Sequence, residues 1–230
     1  MKAMVLAAGF GTRLKPYTNK IPKALMPING EPVIFRTLKM IRRTGIKEVV
    51  INLHHLAQLI RDAVGDGSRW GLCIKYSHEN KILGTGGGVK NAQGLLGNKT
   101  FLIINSDILC NIDLGQVIKL HKEKHALATM VLRKDPNTDK YGTISLGPEN
   151  RVQSILGEPH SPRGKKRMFC GIHVVQPKAF SYLRPEFSSI IHDFYIPALR
   201  RRKSIFGYDY SGFWADIGTV KDYKRLSVEK

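Results

Sequence analysis

The chain has 230 residues, 42% of them hydrophobic, which is enough to fold around a substantial core. It carries 37 lysines and arginines against 18 acidic residues, a formal net charge of +19. No stretch approaches the roughly 18 continuous apolar residues that span a bilayer, and no helix-turn-helix, zinc-finger or RNA-recognition signature accompanies the basic residues, so neither a membrane protein nor a nucleic-acid binder is expected.

The first half of the chain alternates strand-like and helix-like segments. Buried strands are predicted at 4–8, 49–53, 72–76 and 101–105, and helices at 33–43, 55–64 and 88–96. This β-α-β alternation is typical of a mainly parallel sheet with helices on both faces. Ligands of such sheets bind beyond the carboxyl ends of the strands.

After residue 110 the pattern changes. A helix is predicted at 113–124, strands at 126–132, 143–146, 151–156 and 168–175, a loop at 159–167, and helices at 189–202 and 219–226. The short connections favour antiparallel or mixed additions to the sheet. We therefore expect an α/β fold, a three-layer Rossmann-like sandwich with a mixed, mainly parallel central sheet, in one domain over residues 1–230.

The stretch "LAAGFGTRL" follows the first strand, and its glycines, Gly9 and Gly11, allow backbone N–H groups to approach phosphate oxygens. It lacks the G-x-x-x-x-G-K-[ST] pattern of a Walker loop, and Leu14 stands where a dinucleotide fingerprint needs a small residue. A dinucleotide enzyme and a purely structural turn stay open as alternatives. We favour a loop around a nucleoside triphosphate, with Arg13 holding the outer phosphates through its planar fork.

Three charged residues further along the chain suit phosphate and metal chemistry. Lys23 lies in the proline-stiffened stretch "IPKALMPINGEP", where it is a fixed positive charge. Asp107 follows the strand at 101–105, and Asp216 ends the short apolar run "GFWAD". Mg²⁺ takes one or two protein carboxylates in most sites, so these two aspartates would bind a single ion if both strand ends reach the same crevice.

These segments together resemble a known family. The pattern "LAAGFGTRL…PKALMPINGEPVI", followed by "GDGSRWGLCIKYS", "ILGTGGGVKNA", "FLIINSDIL" and "GFWADIGTVKDY", is similar to the signature of the sugar-1-phosphate nucleotidylyltransferases, or nucleotide-sugar pyrophosphorylases. The resemblance covers nearly the whole chain and is closest to short members such as mannose-1-phosphate guanylyltransferases and N-acetylmuramate 1-phosphate uridylyltransferases. It implies the nucleotide-diphospho-sugar transferase type of fold, with nucleotide bound by residues 1–110 and sugar by residues 111–230.

The reaction that the resemblance implies joins a nucleoside triphosphate to a sugar 1-phosphate with Mg²⁺, giving an NDP-sugar and pyrophosphate. GTP with a mannose 1-phosphate-like sugar is favoured slightly over UTP with an N-acetylmuramate 1-phosphate-like sugar. A nucleotide-binding regulatory module without turnover is a further alternative, as is a cytidylyltransferase or glycosyltransferase relative. Cys73, Cys110 and Cys170 are far apart, which indicates reduced thiols in a cytoplasmic protein, and either a monomer or a homodimer is plausible.

The resemblance also implies roles for individual residues. The catalytic residues are Arg13, Lys23 and Asp107, and the metal ligands are Asp107 and Asp216. The nucleotide contacts are Leu6, Ala8, Gly9, Gly11, Thr12, Arg13, Lys23, Gly86 and Gly87, with an N–H of Gly86 or Gly87 directed at the base. The sugar contacts are Asn105, Gly142, Glu158 and Gly171, although Pro159 directly after Glu158 departs from the family's Glu-Lys-Pro motif.

Overall fold

The computed structural model of the protein describes residues 1–136, 138, 142–160 and 164–228. Its strands are β1 (Lys2–Leu6), β2 (Pro27–Ile28), β3 (Glu31–Pro32), β4 (Glu48–Leu53), β5 (Cys73–His78), β6 (Phe101–Asn105), β7 (Ile108–Cys110), β8 (Ala128–Arg133), β9 (Ile144–Leu146), β10 (Val152–Ile155), β11 (Lys165–Val175), β12 (Ile205–Asp209) and β13 (Trp214–Asp216). Its α-helices are α1 (Val33–Arg43), α2 (Ala57–Val64), α3 (Gly84–Asn91), α4 (Gln93–Leu96), α5 (Leu114–Glu123), α6 (Ile196–Arg200) and α7 (Val220–Val228).

Across the described residues, nine of these strands form one mixed sheet. Its order is β10-β9-β11-β6-β1-β4-β5, and β8 pairs with both β11 and β12. The four strands β6, β1, β4 and β5 are parallel, whereas β11 runs antiparallel to β6, β8 and β9. The predicted fold class, an α/β sandwich with a mixed, mainly parallel central sheet, is confirmed.

Helices cover the sheet on both faces, because alternate residues of the buried strands point in opposite directions. In β1, Met4 packs into one core with helices α3, α4 and α6. Its neighbours Ala3 and Val5 pack into the other core, which α1, α2 and α5 cover. The parallel strands thus have their carboxyl ends at one edge of a three-layer sandwich, where ligand sites of this architecture lie.

A small antiparallel pair lies at that same edge. Strand β13 pairs with β7, which directly follows the end of β6, and the register places Asp216 opposite Ile108. The N–H of Ile217 donates a hydrogen bond of 3.0 Å to the carbonyl oxygen of Asp107. This pairing brings residues 214–217 to the carboxyl edge of the parallel strands.

The structure corrects three predicted boundaries. Strand β1 ends at Leu6 rather than at residue 8, because residues 7 and 8 already belong to the following loop. Residues 165–167, predicted as loop, begin β11, because they pair with β9. The segment predicted as a helix at 189–202 divides into a π-helix, Ile190–Tyr195, and α6.

Helix α3 begins at Gly84, four residues before the predicted start at residue 88, so all three consecutive glycines of "LGTGGGV" lie inside it. Packing explains this exception to the poor helix propensity of glycine. A Cβ on Gly87 would lie 2.3 Å from the carbonyl oxygen of Glu186, so only glycine allows this helix to lie so close to the segment before the π-helix.

No helix within the described ranges is long and apolar enough to cross a bilayer.

Candidate active site

A cleft of about 420 Å³ opens at the carboxyl ends of β1, β4 and β6. Its walls come from the loop after β1, the start of α3 and the end of β6. They include residues that the sequence predicts as substrate contacts and residues that it does not. The lining residues are Leu6, Ala7, Ala8, Gly9, Phe10, Gly11, Thr12, Arg13, Lys23, Asn52, Ile82, Gly84, Thr85, Asn105, Ser106, Asp107 and Gly218. The predicted nucleotide positions from Leu6 to Lys23 therefore share one cavity.

The loop after β1 depends on Gly11. This residue has φ +64°, and a Cβ added to it would lie 2.8 Å from Cγ2 of Thr18. The carbonyl oxygen of Gly11 accepts hydrogen bonds from the N–H of Leu14 at 2.8 Å and from the hydroxyl of Thr18 at 2.9 Å. At Gly9, by contrast, no heavy atom of the described residues other than Gly9 and its two chain neighbours lies within 4 Å of an added Cβ, so its bare backbone faces open space.

Lys23 and Asp107 meet in this cleft. The Nζ atom of Lys23 forms an ion pair with Oδ2 of Asp107, and both side chains are largely shielded, with exposed fractions of 16% and 21%. Lys23 is held by a 3₁₀ turn, Lys23–Leu25, whose preceding residue is Pro22, while Asp107 lies two residues beyond the end of β6. The predicted catalytic cation and carboxylate are thus direct neighbours.

Asp216 lies beside this pair through the β13–β7 pairing. Burial raises the pKa of the Asp216 carboxyl, and the charge of Asp107 raises it further, whereas Lys23 and Arg13 act in the opposite direction. The negative charge of Asp107 acts on the Asp216 carboxyl and the two cations oppose it, so an additional positive ion near these carboxylates would be favourable. The predicted metal ligands, Asp107 and Asp216, are therefore brought together.

The expectation for Gly86 and Gly87 needs correcting. Both N–H groups donate to the carbonyl oxygen of Ser188, at 2.7 and 3.2 Å, so they are not directed at a ligand. Gly84 and Thr85, at the start of the same helix, line the cleft in their place. The first N–H groups of helix α3 have no acceptor inside the helix. Because the start of α3 packs against the segment that contains Ser188, these N–H groups bind the Ser188 carbonyl oxygen instead of a ligand.

The predicted sugar contacts divide into two groups. Asn105 lines the cleft, and a Cβ on Gly171, at φ +74°, would lie 2.7 Å from Nδ2 of Asn105, so these two residues are neighbours. Gly142 packs instead against the side chain of Leu156, and Glu158 forms an ion pair with Arg200. Neither Gly142 nor Glu158 is among the residues that line the cleft.

Sequence reasoning missed two buried polar residues, Asn52, which lines the cleft, and Glu79, which does not. Asn52 is 3% and Glu79 1% exposed. The Nδ2 of Asn52 donates to Oε1 of Glu79 at 2.7 Å. The signal for Asn52 was available, since it is a polar residue inside the apolar run "VVINL", but the partner lies 27 residues away.

The sequence and the fold have counterparts among known proteins. A profile of the nucleotidyl transferase family matches residues 2–229 of the chain. The N-acetylmuramate alpha-1-phosphate uridylyltransferase of Neisseria meningitidis is 35% identical over 226 residues, which cover 96% of this chain and 94% of that protein. The mannose-1-phosphate guanylyltransferase of Mycobacterium tuberculosis is 31% identical, over 99% of this chain but 64% of its own length. The structure of HddC from Yersinia pseudotuberculosis, complexed with GMP-PN, aligns with a TM-score of 0.81 at 25% identity and covers 98% of this chain and 97% of its own.

Proposed function

The chain belongs to the nucleotidyl transferase family as a sugar-1-phosphate nucleotidylyltransferase, and from this premise we propose how its cleft performs the reaction. A nucleoside triphosphate lies along the loop after β1, and a sugar 1-phosphate enters from the side of Asn105 and Gly171. The products are an NDP-sugar and pyrophosphate. The observation that carries the proposal is the meeting of Lys23, Asp107 and the glycine loop in one cleft.

The chain's own cations carry out most of the charge stabilisation. Arg13, exposed at the cleft wall, binds the β- and γ-phosphates and stabilises the leaving pyrophosphate. Lys23 lies deeper and neutralises the α-phosphate and the sugar phosphate as the new bond forms. The bare backbone at Gly9 leaves room for the triphosphate to approach.

A general base is not required. The second pKa of a phosphate monoester is about 6, so the sugar phosphate is mostly a dianion at neutral pH and is already a nucleophile. Catalysis then consists of holding two polyanions in line for displacement and of stabilising the charge of the transition state. The cleft supplies cations for that purpose.

The donor set of Asp107 and Asp216 fits a Mg²⁺ ion. Both are carboxylates, the hard oxygen ligands that Mg²⁺ prefers. Burial first, and then the negative charge of Asp107, raise the pKa of Asp216, and a bound divalent cation would offset both effects. When bound there, the ion would supply charge neutralisation and orientation of the phosphates. Lys23 forms an ion pair with Asp107, so the lysine that would meet the substrate phosphates lies next to a ligand of that ion.

For the substrates, we propose UTP and an N-acetylmuramate 1-phosphate-like sugar as the first pair, because the uridylyltransferase relative matches this chain over nearly the whole length of both proteins. GTP with a mannose 1-phosphate-like sugar, favoured from the sequence, is the second pair. It is supported by the Mycobacterium guanylyltransferase and by the GMP-PN complex of HddC.

The test is a matrix of four nucleoside triphosphates against N-acetylmuramate, mannose, glucose and heptose 1-phosphates, scored by pyrophosphate release with and without Mg²⁺. Turnover with one pair at least about 10-fold above all others, and lost in EDTA, is the expected result. Binding of a triphosphate with no pyrophosphate released from any pair would favour the regulatory module instead.

A further inference from the structure

At the inner wall of the cleft, hydrogen bonds of the buried side chains of Asn52 and Glu79 connect two separate segments. The N–H of Ala7, in the loop after β1, donates to Oδ1 of Asn52 at 2.8 Å. Nδ2 of Asn52 donates to Oε1 of Glu79 at 2.7 Å, and the N–H of Leu83 donates to Oε2 of Glu79 at 2.9 Å. Ala7 precedes the glycine loop, and Leu83 precedes helix α3.

The donor and the acceptor of each of these hydrogen bonds follow from the chemistry of the groups. A backbone N–H can only donate, so Ala7 requires an oxygen on Asn52, and the amide nitrogen of Asn52 must then face Glu79. Leu83 likewise requires an oxygen from Glu79. Glu79 therefore meets two donors, and a carboxylate supplies two acceptor oxygens where a glutamine supplies one.

The surroundings leave little freedom for this arrangement to change. A Cβ added to Gly88 of helix α3 would lie 2.6 Å from Oε1 of Glu79 and 2.8 Å from Nδ2 of Asn52. The Nδ1 of His54 binds the backbone carbonyl oxygen of Glu79 at 2.8 Å, which fixes the main chain at this position. Both side chains are thus enclosed between the sheet and helix α3.

We propose that Glu79 is a positioning residue, whose carboxylate, through Asn52, holds the loop after β1 and the start of α3 at the spacing that the nucleotide requires. Both segments line the cleft, the first through Ala7 to Arg13 and the second through Gly84 and Thr85. Glu79 is not among the cleft-lining residues, so it acts through its partners. The inference rests on the proposed function, because it takes this cleft to be the nucleotide site.

A polarity swap tests the proposal. In Glu79→Gln a donor faces a donor, and in Asn52→Asp two carboxylate oxygens face each other, so each single variant loses one buried hydrogen bond. In the double variant N52D/E79Q, the introduced aspartate accepts from Ala7 and from the introduced glutamine amide, while the glutamine oxygen accepts from Leu83. The double variant has the same atomic composition and net charge as wild type, but the carboxylate lies at position 52 and the amide at position 79.

Steady-state kinetics supply the main readout. Each single variant is expected to raise KM for the nucleoside triphosphate by about 10-fold or more, as for an unsatisfied buried polar group, and to leave KM for the sugar 1-phosphate within about 2-fold of wild type. The double variant is expected to return KM for the triphosphate to within about 3-fold of wild type. A merely structural role would not produce this split between the two substrates.

The control is Thr129→Val, which removes an equally buried hydrogen bond, 3.1 Å from Thr129 Oγ1 to His121 Nδ1, away from the cleft. It is expected to lower the melting temperature without changing either KM. A double variant no better than the worse single variant would overturn the proposal. So would a changed order of preference among nucleoside triphosphates in both E79Q and the double variant, since Glu79 would then contact the base itself.

Amide hydrogen exchange separates this inference from the proposed function. Residues 7–13 and 83–88 should both exchange faster in each single variant and regain protection in the double variant, whether or not the protein turns over. If wild type releases no pyrophosphate from any substrate pair, the proposed function fails and the exchange pattern alone decides the positioning role. Faster exchange at 83–88 only, with 7–13 unchanged, would overturn the coupling.

Discussion

Lys23 and Asp107 form an ion pair at the floor of the cleft, although 84 residues separate them along the chain. Their partial burial strengthens the interaction relative to one in bulk water. The pair places a candidate catalytic cation and a candidate metal ligand side by side in the cleft.

Lys23→Met is expected to lower kcat by about 100- to 1,000-fold, because methionine keeps much of the length of the side chain and removes the charge that stabilises the reacting phosphates. Pyrophosphate release under saturating substrates is the measurement. Lys20→Met is the matched control, since Lys20 is exposed three residues earlier. Equal rates of pyrophosphate release for the two variants would show that Lys23 is not a catalytic residue.

Asp107→Asn and Asp216→Asn are each expected to lower turnover by about 100-fold or more while the fold stays intact. Mn²⁺ binding, followed by electron paramagnetic resonance, should weaken in both. Because the raised pKa of Asp216 means that its charge opposes folding near neutral pH, Asp216→Asn should melt no lower than wild type at pH 7. Asp62→Asn, at an exposed helix position, is the control. A near-wild-type rate in either site variant would refute the metal assignment.

Much of the parallel sheet follows from local pattern. Strand β6 has the bounds that the sequence predicts, because a run of buried apolar residues ends at a polar Asn-Ser-Asp stretch. The same reasoning places Asp107 at the sheet edge, and the β13–β7 pairing places Asp216 beside it. Strand ends are predictable in this way because the alternation of strands and helices determines which ends share an edge.

Features that depend on contacts between distant parts of the chain could not be predicted from local sequence patterns. Helix α3 begins four residues earlier than predicted because its glycines pack against residues 186–190, which no local pattern indicates. Strand β12 was missed because its identity depends on pairing with β8. The hydrogen bond between Asn52 and Glu79 joins two distant segments, and neither residue alone signals it.

The two glycines of the loop after β1 should respond differently to alanine. Gly11→Ala is expected to lower stability by about 1–3 kcal/mol, because the residue has φ +64° and an added Cβ would clash with Thr18. Gly9→Ala should leave the melting temperature unchanged, since open space surrounds its Cβ, but should raise KM for the triphosphate several-fold. Thermal melting and substrate kinetics on both variants are the measurements. A large loss of stability in Gly9→Ala would contradict the assignment of that space to the ligand.

Two buried histidines should make stability depend on pH. Burial lowers the pKa of His121 to about 4 and of His173 to about 3, below the ordinary value of about 6.5. Between the folded pKa values and about 6.5, the unfolded chain binds protons that the folded chain does not. The free energy of unfolding therefore rises with pH in this interval, and the contribution of the two histidines is lost as pH falls below about 6.5. Each histidine contributes up to about 1.4 kcal/mol per pH unit in that interval.

Urea unfolding at pH 7 and pH 5 measures this dependence. His173→Asn keeps a group able to bind the hydroxyl of Tyr195, which lies 2.5 Å from His173 Nδ1, and it removes the titration, so its stability should change less between the two pH values. His192→Asn, at an exposed position, should keep the wild-type change. If His173→Asn and wild type lose the same stability on acidification, His173 binds its proton as readily in the folded chain as in the unfolded chain, and burial does not control its charge.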